Sequence, residues 1–199
     1  MLAPLLQLLP EDSSFLCAGA GTGAEIMVLA ARFRRWRFVG VDASADMLDE
    51  CRRRTLGAGI ADRVDLHVGR MEGYHGSAPF DAASSIFVTH FIKGPEQKLA
   101  YLRSIAAHLK PGALFVLADL FGDRGAPEFV PLMQAWLLYY VSHGADAGKL
   151  AADLQHIFSN IDFTPERQLQ ALLMEAGFCD IARFFQSYLF GGWVARKQV

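Results

Sequence analysis

Three glycines at alternate positions, Gly19, Gly21 and Gly23, follow a short apolar run, Phe15-Leu16-Cys17-Ala18, and precede an amphipathic stretch that opens at Ala24. Glycine lets a ligand approach the backbone and takes up dihedral angles closed to other residues. A helix starting just behind such a loop presents free N–H groups to it. Asp42 ends the next apolar run, 19 residues after Gly23, and an acid at such a point accepts hydrogen bonds from ribose hydroxyls. Together they point to a nucleoside-bearing ligand without fixing which one, because Gly19-x-Gly21-x-x-Ala24 also meets the nicotinamide-cofactor pattern. A tight turn beside a solvated Asp42 is the reading without a ligand.

These residues need a scaffold, and the chain supplies one. Its 199 residues are 52% hydrophobic and 20% charged, which excludes a disordered chain and suits one domain, residues 1–199, with a sizeable core. Lys and Arg number 19 against 21 Asp and Glu, a net charge of −2, which argues against a dedicated nucleic-acid binder. Short apolar runs alternate with amphipathic ones. Strands are expected at Ser14–Ala18, Phe38–Asp42, Val64–Val68, Asp81–Val88 and Ala113–Leu120. Helices are expected at Glu25–Phe33, at Ser44–Leu56 with Ser44 as N-cap, and at Glu96–Leu109, stopped by Pro111 and Gly112. Such alternation implies a parallel sheet covered on both faces. Beyond it, Pro127–His143 and Lys149–Phe158 read as extra helices, and Thr164–Ala176 as a helix with Thr164 as N-cap and Pro165 first in the helix. Ile181–Phe190 and Trp193–Arg196 read as strands joined by a Gly191-Gly192 turn. No apolar stretch is long enough to span a bilayer. Cys17, Cys51 and Cys179 fit no zinc spacing, so no metal is expected, and they read as reduced thiols of a cytoplasmic protein. Arg32, Arg34, Arg35 and Arg37, and then Arg52, Arg53 and Arg54, cluster at helix ends, where cations complement the dipole; a nucleic-acid surface is the alternative.

Five segments in order, Gly19-Ala20-Gly21-Thr22-Gly23, Val41-Asp42-Ala43-Ser44-Ala45-Asp46-Met47-Leu48, Phe80-Asp81, Leu109-Lys110-Pro111-Gly112 and Glu175-Ala176-Gly177-Phe178, resemble the class I S-adenosylmethionine-dependent methyltransferases. The ending, Phe184 to Lys197, is similar to a small bacterial and archaeal subgroup. The resemblance implies an α/β, Rossmann-like sheet of seven strands, the last antiparallel, with a helical insertion after strand five at about residues 121–162. It implies S-adenosyl-L-methionine as cofactor, S-adenosyl-L-homocysteine as product and a small-molecule methyl acceptor, and it leaves a homodimer open. Gly19, Ala20 and Gly21 would pack on the methionine part and ribose, Asp42 would hold the ribose hydroxyls, and Ala43 and Met47 would flank the adenine. Met47 as helix core is the alternative. Arg70 and Met71 would meet the adenine edge, and Ser85 and Ile86 the methionine amine and thioether. His90, soon after strand four, would be the general base, or else a structural histidine. Trp136, Tyr139 and Tyr140 share a helix face; Trp136 and Tyr140, with Phe121 and Tyr188, would line an acceptor pocket or form plain core.

Two positions depart from the family. Cys17 stands where an acidic residue usually opens the first motif, and Arg70 where an Asp usually meets the adenine amino group; each lost charged contact costs ~1.5–3 kcal/mol. A non-catalytic cofactor-binding module is therefore one alternative. The chain end also resembles the carboxy-S-adenosylmethionine synthase of tRNA wobble modification. That family uses an arginine before its C-terminal helix to hold the extra carboxylate; from Leu150 to Pro165 this chain has neither Arg nor Lys. A short-chain dehydrogenase is disfavoured, because no Tyr is followed four residues later by Lys. About 13 residues precede the first strand, too few for a substantial cover, so the insertion is expected to close the site against water.

Overall fold

A computed structural model describes residues 2–76, 79–146, 148 and 159–199. The elements run α1 (Leu2–Leu5), β1 (Ser14–Ala18), α2 (Ala24–Arg32), β2 (Arg37–Asp42), α3 (Ala45–Gly57), β3 (Val64–Val68), β4 (Phe80–Ile86), α4 (Pro95–Ala107), β5 (Leu109–Leu120), α5 (Phe129–Ser142), α6 (Glu166–Glu175), β6 (Phe178–Ser187) and β7 (Phe190–Lys197). The strands form one sheet in the order β3-β2-β1-β4-β5-β7-β6. β1 to β5 pair in parallel, and β7 runs antiparallel to both β5 and β6. This is the seven-stranded, Rossmann-like sheet that the motifs imply.

Both faces are covered, as the alternation of strands and helices requires. In β1, Phe15 and Cys17 point into a core with Ile26 and Leu29 of α2 and Leu48 and Cys51 of α3. Leu16 and Ala18 point the other way, into a core with Leu102 and Ile105 of α4 and Leu169 and Leu173 of α6. β1 therefore has no polar face, as a strand buried on both sides must not. Ser44 caps α3 as expected, accepting from the Met47 N–H at 3.3 Å. Arg32 and Arg54 fall in the last turns of α2 and α3, as expected, and a further arginine holds the end of α2. Arg63 donates to the carbonyls of Ala30, Phe33 and Trp36, while Arg52, Arg53, Arg54 and Arg35 pair with Asp49, Glu50 and Glu11.

Three other local readings are corrected. α4 ends at Ala107, and Lys110-Pro111-Gly112 falls inside β5, where the pairing jumps from Phe80↔Leu109 to Ala82↔Leu114. A proline is tolerated in a strand at such an irregularity. The N-cap of α6 is Pro165, because the Thr164 hydroxyl instead accepts from the buried Lys98 ammonium at 2.5 Å. The β6–β7 turn lies at Tyr188 and Leu189, with Tyr188 at φ 51°. Gly191 and Gly192 are strand residues, paired with Asp119 and Ala118 of β5. The expected helix at Lys149–Phe158 lies outside the described residues.

Gly191 and Gly192 are required by crowding. A Cβ on Gly191 would lie 2.2 Å from the ring of Trp193 and 2.9 Å from Phe121, and one on Gly192 would lie 2.8 Å from Phe184. Trp193 is fully buried and cannot swing away. Gly191→Ala is therefore expected to destabilise the fold by about 1–3 kcal/mol, read as a lowered midpoint in urea denaturation.

Candidate functional site

β1, β2 and β4 end together, and their following loops enclose a cavity of about 710 Å³. Its lining includes Gly19 and Gly21 of the glycine loop, Asp42, Ala43 and Met47 from the end of β2 and the start of α3, Arg70 and Met71 after β3, and Ile86 at the end of β4. The topology brings these eight expected cofactor residues together from four segments of the chain. Met47 is 49% exposed and faces the cavity, while its neighbour Leu48 takes the core position.

Asp42 organises the near wall. One carboxylate oxygen accepts the Gly21 N–H at 2.8 Å, and the other accepts the Ser44 N–H at 2.9 Å. Its backbone carbonyl accepts the Gly69 N–H at 2.8 Å. An ionised carboxylate has about four acceptor sites, so each oxygen keeps capacity toward the cavity. The glycine loop climbs through left-handed angles at Gly19, Gly21 and Gly23 (φ 81°, 51° and 78°). A Cβ on Gly19 would lie 2.2 Å from Val88, whereas one on Gly21 would meet only the Met47 sulfur, at 3.8 Å. The space over Gly21 is thus open to a ligand, and a nucleoside with its ribose at Asp42 fits it.

Two expected cofactor residues do not line the cavity. The Ala20 methyl turns onto Gly40 of β2, and Ser85 is fully buried, its hydroxyl 2.9 Å from the Tyr101 hydroxyl. The four aromatic acceptor candidates also lie outside the lining. Phe121 packs edge-on against Trp193 at 5.0 Å. Trp136 packs against Phe190 at 4.9 Å and Tyr140 at 5.8 Å, and Tyr188 lies 6.1 Å from Tyr139. Contact with the cavity is indirect, since Phe190 meets the cavity-lining Phe87 edge-on at 5.7 Å. The far wall comes instead from Phe87, Val88, Phe91 and Lys93 after β4 and from Gln97 and Tyr101 of α4. No sequence motif marks these residues. Phe87 adopts φ 57° and is 45% exposed, a strained placement of a bulky side chain at the mouth of the cavity.

His90 stands behind Phe91, ring to ring at 4.0 Å, and is not among the lining residues. Its Nδ1 pairs with Asp119 of β5. Asp119 is buried and also accepts from the Thr89 hydroxyl at 2.5 Å and from the N–H groups of Thr89, His90 and Leu120. Asp119 carries no local motif, because it meets His90 only through the pairing of β4 with β5. His90 is thereby fixed in orientation, whatever it does.

Glu25, in the first turn of α2, is the second acid that the sequence does not mark. Both its carboxylate oxygens are buried without a hydrogen bond of normal geometry. Burial pushes its pKa up to about 7, against weaker opposing effects of the Cys17 thiol and the Ser84 hydroxyl. Burial, and then the nearby Glu25, raise the Cys17 thiol well above the ordinary range.

A methyltransferase-domain family model matches residues 16–115, just over half of the chain. The carboxy-S-adenosyl-L-methionine synthase of Erwinia tasmaniensis is 28% identical over 94% of this chain and 76% of its own. Among solved structures, a possible exported protein from Bordetella parapertussis is 22% identical with a TM-score of 0.75, covering 98% of this chain; this chain spans 65% of that one. CalS10, an amino pentose methyltransferase from Micromonospora echinaspora solved with S-adenosylmethionine bound, has a TM-score of 0.64 at 18% identity, over 98% of this chain and 87% of its own.

The buried acid gives a testable sign. The folded state raises the pKa of Glu25 from an ordinary 4.5 to about 7, so the folded chain holds a proton that the unfolded chain releases. The associated stability is full below pH 4.5, is lost as pH rises to about 7, and amounts to roughly 3 kcal/mol. Glu25→Gln keeps a neutral group there at every pH. Its advantage in thermal melting over the unaltered protein should be absent near pH 5 and present near pH 8.

Proposed function

The chain belongs to the class I S-adenosylmethionine-dependent methyltransferases, and on that premise we propose that it methylates a small-molecule acceptor, with Asp42 and the glycine loop holding the cofactor and His90 serving as general base. S-adenosylmethionine supplies a methyl group already activated on a sulfonium, so the protein's work is alignment and exclusion of water. The observation that carries the reading is Asp42, anchored by two backbone N–H groups and still open to the cavity.

In this reading Asp42 accepts from the ribose hydroxyls. Ala43, Met47 and Met71 flank the adenine, and the backbones of Arg70 and Met71 serve its edge in place of the absent carboxylate. Gly19, Ala20 and Gly21, with the backbones of Ser85 and Ile86, receive the methionine end. With its Nδ1 proton given to Asp119, the imidazole keeps a lone pair on Nε2, the tautomer a base requires. An acceptor hydroxyl or amine approaches it along the edge formed by Phe87 and Phe91. The insertion at about residues 121–162 is the cover of a single catalytic domain. Trp136 reaches the mouth through Phe190 and Phe87, and the Asp162 N–H donates to the His90 carbonyl at 2.8 Å. No helix among the described residues is long and apolar enough to cross a membrane. A cytoplasmic location suits the free Cys17, Cys51 and Cys179.

Carboxy-S-adenosylmethionine synthesis is the second reading, favoured by the 28% identity to the Erwinia tasmaniensis enzyme over 94% of the chain. Mass spectrometry of the nucleoside recovered after turnover separates the two: formation of S-adenosylhomocysteine with a methylated acceptor supports the first, and gain of a carboxyl by the cofactor supports the second.

Two outcomes test the assignments. Asp42→Ala should weaken S-adenosylhomocysteine binding about tenfold to a hundredfold, through loss of a charge-assisted contact of ~1.5–3 kcal/mol, as measured by calorimetry; unchanged affinity in a folded variant refutes the anchor. His90→Gln should leave that affinity within about twofold while turnover of an acceptor found by panel screening falls ~100-fold or more. Equal turnover would leave His90 a structural residue.

A further inference from the structure

Among the described residues, Glu25 has both carboxylate oxygens buried with no hydrogen-bond partner. Its neighbours Cys17 and Ser84 are paired across β1 and β4. Each lies two residues along its strand from a cavity-lining residue, Gly19 and Ile86 respectively. The Glu25 carboxylate therefore sits just below the floor of the cavity where β1 and β4 end. A buried, unpaired acid is costly, and none of its described neighbours supplies a positive charge.

The other acids are placed or committed elsewhere. Asp42 and Glu72 line the cavity from the β2 and β3 side. Asp119, on the β4 and β5 side, is saturated by Thr89, His90 and Leu120. A nucleoside whose ribose lies at Asp42 directs its other end toward β1 and β4. The cofactor's other end carries an ammonium. We propose that Glu25 is the buried counter-charge for that ammonium, a positioning residue acting from beneath the glycine loop. The proposal rests on the cofactor placement given under Proposed function.

The proposal has a pH signature. The titratable groups that interact with Glu25 are Cys17 of β1 and Tyr101 of α4, with Cys51 of α3 beside Cys17. Burial is the chief cause raising each of them, and they stay neutral near pH 7. Glu25 alone of this cluster titrates there. A cation above it favours its ionised form, so affinity for the cation should rise with pH through the neutral range and level off above it. The α2 N-terminus supports the same form, since Glu25 lies in the first turn and Gly23 offers no side-chain cap.

Calorimetric titration of the full chain with S-adenosylhomocysteine and with methylthioadenosine, which lacks the amino-acid end, tests this. The unaltered protein should bind S-adenosylhomocysteine more tightly at pH 8 than at pH 6, and methylthioadenosine equally at both. Glu25→Gln should weaken S-adenosylhomocysteine about tenfold at pH 8, erase its pH slope and leave methylthioadenosine unchanged. Glu25→Asp should restore part of both affinity and slope. If Asp42→Ala weakens both ligands while Glu25→Gln weakens neither, the proposal is overturned and the cofactor placement stands. If Asp42→Ala weakens neither, both fall. Equal weakening of the two ligands by Glu25→Gln, or its rescue failing in a folded Glu25→Asp, reduces Glu25 to a packing residue and also overturns the proposal.

Discussion

The site depends on one carboxylate holding two backbone segments. Asp42 accepts the Gly21 N–H from the glycine loop and the Ser44 N–H from the start of α3. The glycine loop has only the side chains of Ala20 and Thr22, one packed on β2 and one accepting from Arg54. It also spends its glycines on left-handed angles that other residues rarely adopt. Its other ties to β2 are the Gly19 and Ala20 N–H groups, which both donate to the Val41 carbonyl. The same carboxylate fixes where Ser44 begins α3, and so where Met47 meets the cavity. Loop shape, helix start and the placing of Met47 are thus one constraint, met by an acid at the last residue of β2.

A second constraint is close packing under the loop. Gly19 leaves room for Val88, and Gly23 for the Cys51 sulfur, which a Cβ would approach to 2.4 Å. The glycines therefore let α3 and the segment after β4 close on the loop from opposite sides. Cys17 is fully buried beneath the loop, and α2 brings the Glu25 carboxylate beside it.

Whether a residue's role was legible depended on how far away its partner lies. Ser14–Ala18 and Val64–Val68 were expected and observed with the same bounds, because apolar strands between polar turns advertise themselves locally. Asp42 and the glycines were legible for the same reason. The pairing of His90 with Asp119 was not, since it depends on the register of β4 against β5. Gly191 and Gly192 were misread as a turn, because glycine signals a turn and a tight interior alike. Only the position of the Trp193 ring tells them apart. Thr164 looks like a helix cap until Lys98, 66 residues away, claims its hydroxyl. The aromatic face of α5 was open to two readings, pocket wall or plain core; Trp136 packs on Phe190, which in turn meets the cavity-lining Phe87.

The return of the insertion is fastened to the segment that forms the far wall. The Asp162 N–H donates to the His90 carbonyl, the Gly94 N–H donates to the Asp162 carboxylate at 2.6 Å, and the Lys93 ammonium donates to the Asn160 carbonyl at 2.6 Å. Lys98, buried within α4, donates to the Asp162 carbonyl as well as to Thr164. Burial lowers the pKa of this ammonium, with Asp162 and Asp119 opposing the shift. Every one of these contacts joins residues 159–164 to the stretch from His90 to Lys98. That stretch carries Phe91 and Lys93 on the cavity wall and ends in the helix that presents Tyr101. A displacement of residues 159–164 must then strain the far wall or break these bonds, of which the buried Lys98–Thr164 bond costs about 1–3 kcal/mol if a group is left unsatisfied. The near wall, held by Asp42, shares none of these bonds. The cavity thus has one wall tied to the end of β2 and one fastened to residues 159–164.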